Sequence, residues 1–214
     1  MAQSPKSALS SAPKRPAAKA EGAPRAWQRT LSGRRLDLLD PSPLDVEIED
    51  IAQGLARVAR WNGQTTGAHA FSVAQHSLVV EELCRKLAPE WDRKMRLMAL
   101  LHDAPEYVIG DMISPFKAAL GLDYKAFEAK LEAAVHIRFG LPAHAPAAVK
   151  ATIKRADIIC AYFEAVQLAG FSPVEAKRIF GLPPAAIKLR LAPMATGQVQ
   201  EAFLKRFRSL MDPA

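Results

Sequence analysis

The stretch that decides the fold is Leu100-Leu101-His102-Asp103-Ala104-Pro105-Glu106, which continues to Gly110-Asp111. A histidine and an aspartate stand side by side in it, and a glutamate follows four residues after the histidine. These three metal-ligating or proton-transferring groups therefore fall on about one turn of a predicted helix. The apolar spacing of the run before them points His102 inward, and we expect Pro105 to end or kink that helix.

Two more polar residues face inward on other predicted helices. In a helix over residues 71–88, His76 shares its face with apolar residues spaced four, seven and eleven positions further on. In a helix over residues 146–169, Asp157 interrupts an apolar stripe, and an unpaired buried carboxylate is costly, so Asp157 needs a cation or strong donors. A divalent metal would satisfy four such groups at once, namely His76, His102, Asp103 and Asp157.

With these motifs the sequence resembles the HD-domain metal-dependent phosphohydrolases, whose signature is H…HD…D on three core helices. It is most similar to the bacterial 5′-deoxynucleotidase-like group. The matching segments, between about residues 29 and 169, are Arg60-Trp61-Asn62-Gly63, Ser72-Val73-Ala74-Gln75-His76-Ser77, the stretch from Leu100 to Glu106, Gly110-Asp111 with Ser114-Pro115-Phe116-Lys117, and Ala156-Asp157.

The resemblance implies a role for each matching residue. The four ligands would hold Mn²⁺, Co²⁺, Ni²⁺, Fe²⁺ or Zn²⁺, a choice that ligand types alone do not make. Glu106 would position or deprotonate the attacking water, and Asp111 would contact the substrate or assist protonation of the leaving group. Arg60 and Lys117 would hold phosphate. Trp61 is expected either in the wall of a nucleoside pocket or as a core residue.

The function that this resemblance implies is hydrolysis of a (deoxy)nucleoside 5′-monophosphate by a metal-activated water, with no covalent enzyme intermediate. Two alternatives stay open: an HD-type nucleoside triphosphate hydrolase, and a catalytically quiet module that senses a nucleotide. Base and sugar specificity also stay open, because Trp61 and Gln64 stand where similar sequences have Phe and His.

The remaining histidines have a weaker claim to the site. His69 competes with His76 for the ligand role, but the Gln-His-Ser context and the inward spacing favour His76. No neighbouring acidic residue supports a ligand role for His136 or His144, and we expect both on the surface.

Composition predicts one domain over residues 27–214, preceded by a disordered basic tail over residues 1–26. Hydrophobic residues make up 50% of the 214, which is enough for a sizeable core. The tail carries five Lys and Arg against one Glu, so it holds much of the net charge of +7. We therefore expect a small nucleotide rather than nucleic acid as the partner, and a homodimer is left open.

Neither a membrane-spanning apolar run nor a signal-peptide core is visible, so we expect a soluble cytoplasmic protein with no membrane partner. The two cysteines, Cys84 and Cys160, fit buried free thiols.

Hydrophobic spacing predicts an all-α helical bundle with at most a small β element near residues 30–40. Further helices are predicted from Ile48 to about Arg60, over residues 123–139, after a capping box at Ser172, and over residues 196–211.

Overall fold

The computed structural model describes residues 26–112 and 122–212. The predicted tail, apart from Ala26, lies outside the described residues, and so does Lys117. Within the described ranges the chain forms eight α-helices and one two-stranded sheet, which confirms the all-α prediction. The helices are α1 (Ile48–Leu55), α2 (Val73–Leu87), α3 (Arg93–Leu100), α4 (Glu106–Ile109), α5 (Leu122–Arg138), α6 (Ala147–Gln167), α7 (Pro173–Phe180) and α8 (Thr196–Met211).

The small β element is an antiparallel hairpin that packs on α1. Its strands are β1 (Trp27–Arg29) and β2 (Arg35–Asp37), so the second strand lies in the predicted region and the first precedes it. The backbone N–H and the hydroxyl of Ser32, in the hairpin loop, both donate to the carboxylate of Asp50 in α1, at 2.9 and 2.6 Å. The hairpin is thereby fixed to the helical bundle.

Helix α2 lies at the centre of the bundle, where it packs against α3, α6 and α8. The side chain of Ser72 caps its first turn by accepting a hydrogen bond from the backbone N–H of Gln75. Apolar side chains on these four helices form one continuous core, which includes Val80, Leu83, Leu100, Ile153 and Phe203. The packing brings the first turn of α2, the end of α3 and the middle of α6 to one place.

The His-Asp pair does not lie on a helical turn, which corrects the prediction from spacing. Helix α3 ends at Leu100, and residues 101–105 form consecutive turns before α4 begins at Glu106. Pro105 has no N–H, and its ring would clash with the carbonyl one helical turn earlier, so the helical hydrogen bonds stop well before the proline. His102 and Asp103 therefore lie in the connection between two helices.

The first helix is also shorter than predicted. It ends at Leu55 rather than near Arg60, and residues 60–63 form a separate short 3₁₀ turn. The backbone N–H of Arg60 donates to the carbonyl of Phe71 at 2.8 Å, so this segment pairs with the chain just before α2 instead of continuing α1. Trp61 and Asn62 have positive φ angles of 57° and 51°, conformations that a helix excludes.

The later helices agree with their predictions. The predicted helix over residues 123–139 is α5, whose Leu131, Ala134 and Val135 are buried. Ser172 forms the predicted capping box with Glu175. Among the described residues, no helix is both long enough and apolar enough to cross a membrane.

A fully buried carboxylate joins α2 to two other helices. Glu81 of α2 has no exposed side-chain surface, and its carboxylate accepts hydrogen bonds from Arg96 of α3, at 2.6 Å, and from Arg206 of α8. Both guanidinium groups come from partly exposed side chains that cover the carboxylate. Glu81 thus connects three helices of the core through charge-assisted hydrogen bonds.

We predict that Glu81→Ala lowers the free energy of unfolding by about 1.5 to 3 kcal/mol, because it removes the charge-assisted hydrogen bonds that join three helices and leaves two arginines facing each other. Urea unfolding measures the change. The control is the neighbouring Glu82→Ala, which removes an exposed pair with Arg85 and should cost less than about 1 kcal/mol. Equal losses in the two variants would show that Glu81 acts as a surface residue.

Candidate metal centre

The four predicted metal ligands converge on one point of the bundle. His76 comes from the first turn of α2, His102 and Asp103 come from the connection after α3, and Asp157 comes from the middle of α6. Nε2 of His76 lies 3.4 Å from Oδ2 of Asp103 and 3.4 Å from Oδ1 of Asp157. Nε2 of His102 lies 3.3 Å from the same Asp103 oxygen. The structure therefore places the four side chains together, and their role as ligands stays a prediction.

Both imidazole rings present Nε2 to this point. Nδ1 of His102 is 2.9 Å from the carbonyl oxygen of Ala99, which can only accept, so Nδ1 carries the hydrogen. Nδ1 of His76 is 2.6 Å from a carboxylate oxygen of Glu164, which fixes the same arrangement. Among the described residues neither Nε2 atom has a hydrogen-bond partner. Two buried nitrogens without a partner beside two carboxylates fit a divalent cation.

The charges of the cluster favour a cation. Burial would raise the pKa of Asp103, but His102 and His76 lower that pKa well below its usual range. Burial would raise the pKa of Asp157 as well, but His76, whose Nε2 lies 3.4 Å from the carboxylate, lowers that pKa strongly. Burial and Arg60 lower the pKa of His76, yet Glu164, Cys160 and Asp157 bring it well above the ordinary value. The carboxylates are thus ionised and attract positive charge to His76.

Beside the ligands lies a cleft of about 620 Å³ that contains the other predicted site residues of the described chain. Glu106, at the start of α4, is 3% exposed and lines the cleft together with Asp111. The lining also contains an aromatic group: the ring of Trp61 lies 5.6 Å from Phe171 and 6.2 Å from Phe180, centroid to centroid. Trp61 is therefore a residue of the cleft wall and not of the core.

Arg60 and Trp61 are held in the wall by a residue that sequence reasoning missed. Nε of Arg60 and Nε1 of Trp61 donate to the same oxygen of Glu164, at 3.2 and 2.7 Å. Glu164 is fully buried, and although burial would raise its pKa, His76 and Arg60 lower the pKa to about 2. Its position on α6, seven residues after Asp157, was the signal available in the sequence, because that spacing returns to the same helix face.

A second group of potential ligands involves Cys160, whose sulfur is close to His76 and Glu164. Burial and the charge of Glu164 raise the pKa of the Cys160 thiol to about 12. The thiol therefore stays protonated and donates to Glu164 at 3.1 Å. This geometry makes Cys160 a hydrogen-bond donor rather than a ligand, and it agrees with the prediction of two buried free thiols.

The prediction for His136 is wrong. His136 is 1% exposed, and its Nδ1 lies 3.1 Å from the carbonyl oxygen of Pro142. It lines a cavity of about 310 Å³ with Glu132, which stands one helical turn earlier on α5. An acidic residue at helical spacing was therefore present in the sequence. His144 is exposed as expected, and His69 is exposed in the loop before α2.

Comparisons with known proteins found one matching domain and two relatives of nearly the same length. A model of the HD domain matches residues 73–161, which include all four candidate ligands. An uncharacterized protein of Rhodobacter capsulatus is 59% identical over 193 residues, covering 87% of this chain and 96% of the relative. The uncharacterized protein YfdR of Escherichia coli is 31% identical over 188 residues, covering 86% of this chain and 95% of the relative.

We predict that the purified protein takes up about one divalent ion per chain, since four ligands from three segments form a single site. His102→Ala and Asp157→Ala should each abolish uptake, measured by elemental analysis, whereas the loop variant His69→Ala should keep it. Chelation should also lower the melting temperature, because the ion binds only the folded state. Full metal content in both ligand variants would show that these residues do not form a metal site.

A second prediction concerns Gly54 of α1, against which α4 packs. A Cβ atom at this position would lie 2.8 Å from Cβ and 2.9 Å from the carbonyl oxygen of Tyr107, the residue after Glu106. Gly54→Ala should therefore displace α4, cost about 1 to 3 kcal/mol of stability and reduce the activity of the site while metal content stays normal.

The matched control is Gly197→Ala in α8, where nothing lies within 4 Å of the added Cβ. This variant should keep the parent's activity and gain up to about 1 kcal/mol of stability. Thermal unfolding and metal analysis compare the two variants. If Gly54→Ala behaved like Gly197→Ala, the tight packing of α4 on α1 would not be needed for the site.

Proposed function

Because the chain belongs to the HD-domain family, which implies a metal-dependent phosphohydrolase, we propose that its substrate is a (deoxy)nucleoside 5′-monophosphate, which it hydrolyses to the nucleoside and phosphate. The observation that carries the proposal is the composition of the cleft. One cavity is lined by two of the candidate metal ligands, by Arg60 and by three aromatic side chains. An anionic group and a ring system are thus accommodated together.

The size and lining of the cleft favour a small molecule over a polymer. A volume of about 620 Å³ falls inside the range of roughly 300 to 1,000 Å³ typical of small-molecule sites. In the described part of the lining only Arg60 and Lys154 are basic, and Lys154 is paired with Asp157 at 2.8 Å. A nucleic acid backbone would require a longer series of cations.

The phosphate end of the substrate is assigned to Arg60. Burial lowers the pKa of its guanidinium, but the neighbouring Glu164 and Asp103 raise that pKa above its usual value, so the group stays charged. Nε is bonded to Glu164, whereas the terminal Nη1 lies 3.6 Å from Asp111, beyond hydrogen-bond distance. The terminal donors can therefore turn to phosphate oxygens. Lys117 is proposed as a further phosphate contact.

His76, His102, Asp103 and Asp157 would hold the divalent ion. Such an ion supplies Lewis-acid charge, which polarises the phosphate and makes a water molecule more acidic. Glu106 then accepts the proton of the attacking water as the new bond to phosphorus forms. Asp111 assists protonation of the nucleoside 5′ oxygen as its bond to phosphorus breaks. Trp61, Phe171 and Phe180 hold the base or sugar by stacking and exclude water.

The test is a panel of nucleoside mono- and triphosphates with Mn²⁺, Co²⁺, Ni²⁺, Mg²⁺ and Zn²⁺. We expect free phosphate from monophosphates, detected with malachite green and unchanged by added pyrophosphatase. Release of triphosphate or pyrophosphate would instead support a triphosphate hydrolase. Nucleotide binding without turnover under every metal would support the sensing module.

The variant Glu106→Gln is the most direct test of the proposed mechanism. It keeps the shape of the side chain and removes its basicity, so we predict turnover at least about 100-fold slower, with metal and nucleotide binding as in the parent. Steady-state kinetics and metal analysis measure the two effects. An unchanged rate would show that Glu106 is not the base and would move that role to Asp111.

A further inference from the structure

The two carboxylate oxygens of Glu164 serve two different groups of side chains. Oε1 accepts hydrogen bonds from Nδ1 of His76, at 2.6 Å, and from the thiol of Cys160, at 3.1 Å. Oε2 accepts from Nε1 of Trp61, at 2.7 Å, and from Nε of Arg60, at 3.2 Å. One buried carboxylate thus joins a candidate metal ligand to two residues of the cleft wall.

We infer that Glu164 is a positioning residue that sets metal affinity and the orientation of Arg60 and Trp61 together. Its bond to Nδ1 of His76 keeps the ring hydrogen there and leaves Nε2 free to face Asp103 and Asp157. The inference rests on the proposed function only for the substrate side. Its metal side rests on the geometry of His76 alone.

Residue 164 lies outside the segment that matches the HD domain model, and so do Arg60 and Trp61. The three residues form one hydrogen-bonded group across a sequence separation of about one hundred residues. The side chain of Glu164 therefore connects the segment before the matched domain to His76, a candidate ligand within it. This connection gives the cleft wall a fixed place relative to the candidate metal centre.

A neutral amide cannot replace this carboxylate, because all four partners are donors. Glutamine at position 164 has one acceptor oxygen and one NH₂ group. If the oxygen faces Arg60 and Trp61, the NH₂ group faces His76, whose Nδ1 must then accept and whose Nε2 carries the hydrogen. If the oxygen faces His76, the NH₂ group opposes the two donors of the wall. The metal ligand and the cleft wall then compete for one oxygen.

The experiment is therefore Glu164→Gln, titrated with Mn²⁺ in the full-length protein. We expect metal affinity to fall by about 10- to 100-fold. The ¹⁵N signals of the His76 ring in metal-free protein should show Nδ1 protonated in the parent and unprotonated in the variant. If Glu164 acted only through packing, its replacement would leave the protonation of Nδ1 of His76 unchanged.

Two controls separate positioning from loss of a buried group. Cys160→Ala removes a weak donor from the same oxygen and should bind Mn²⁺ like the parent. Glu81→Gln alters another fully buried carboxylate, which is bonded to two arginines away from the site, and should lose stability without losing metal affinity. If Glu164→Gln does not fold, Glu164→Asp replaces it, since the shorter side chain cannot reach both groups and must show the same loss.

Parent-like Mn²⁺ affinity in the Glu164 variant, with Nδ1 of His76 still protonated, would overturn the inference. An equal loss of affinity in Glu81→Gln would overturn it too, because the effect would then follow from general loosening. Failure of the proposed function gives a different result. In that case the parent binds Mn²⁺ but hydrolyses no nucleotide, and the titrations still decide the role of Glu164.

Discussion

Negative charge buried around His76 is the constraint on which the rest of the site depends. Asp103, Asp157 and Glu164 approach this imidazole from two segments of the chain, and all three have pKa values lowered by their cationic neighbours. Such a group of carboxylates inside a helical bundle is stable only with positive charge among them. Arg60 supplies part of that charge, and the two imidazole Nε2 atoms beside the carboxylates indicate a divalent ion as the natural complement.

Hydrophobic spacing was sufficient to predict most of the helices and the inward position of His76 and Asp157, but not the non-helical position of His102 and Asp103. An inward polar residue in an apolar stripe is a strong sequence signal, and it identified both His76 and Asp157 as candidate ligands. The ends of α1 and α3 were not predictable in the same way, because there the pairing of Arg60 with Phe71 and the turns before Pro105 replace the helical pattern. These features depend on tertiary contacts and proline stereochemistry rather than on periodicity.

Glu164 and His136 were missed for a different reason. His136 was judged by its neighbours in sequence and Glu164 was not singled out, whereas the partners of each stand on other segments or one helical turn away. Glu164 meets Arg60 and Trp61 only through the packing of α6 beside the chain that precedes α2. The face of α6 that carries Asp157 also carries Glu164, so the sequence contains the signal of a second inward carboxylate. The sequence does not show which donors this carboxylate meets.

The positive φ of Trp61 has a consequence for how the protein folds. A backbone conformation of this kind costs on the order of 1 to 3 kcal/mol and persists only where surrounding contacts hold it. Its holding contact is the bond to Glu164, which joins residues far apart in the chain and so can form only after α6 has docked. We therefore expect the pocket to be assembled late, only after the core is complete.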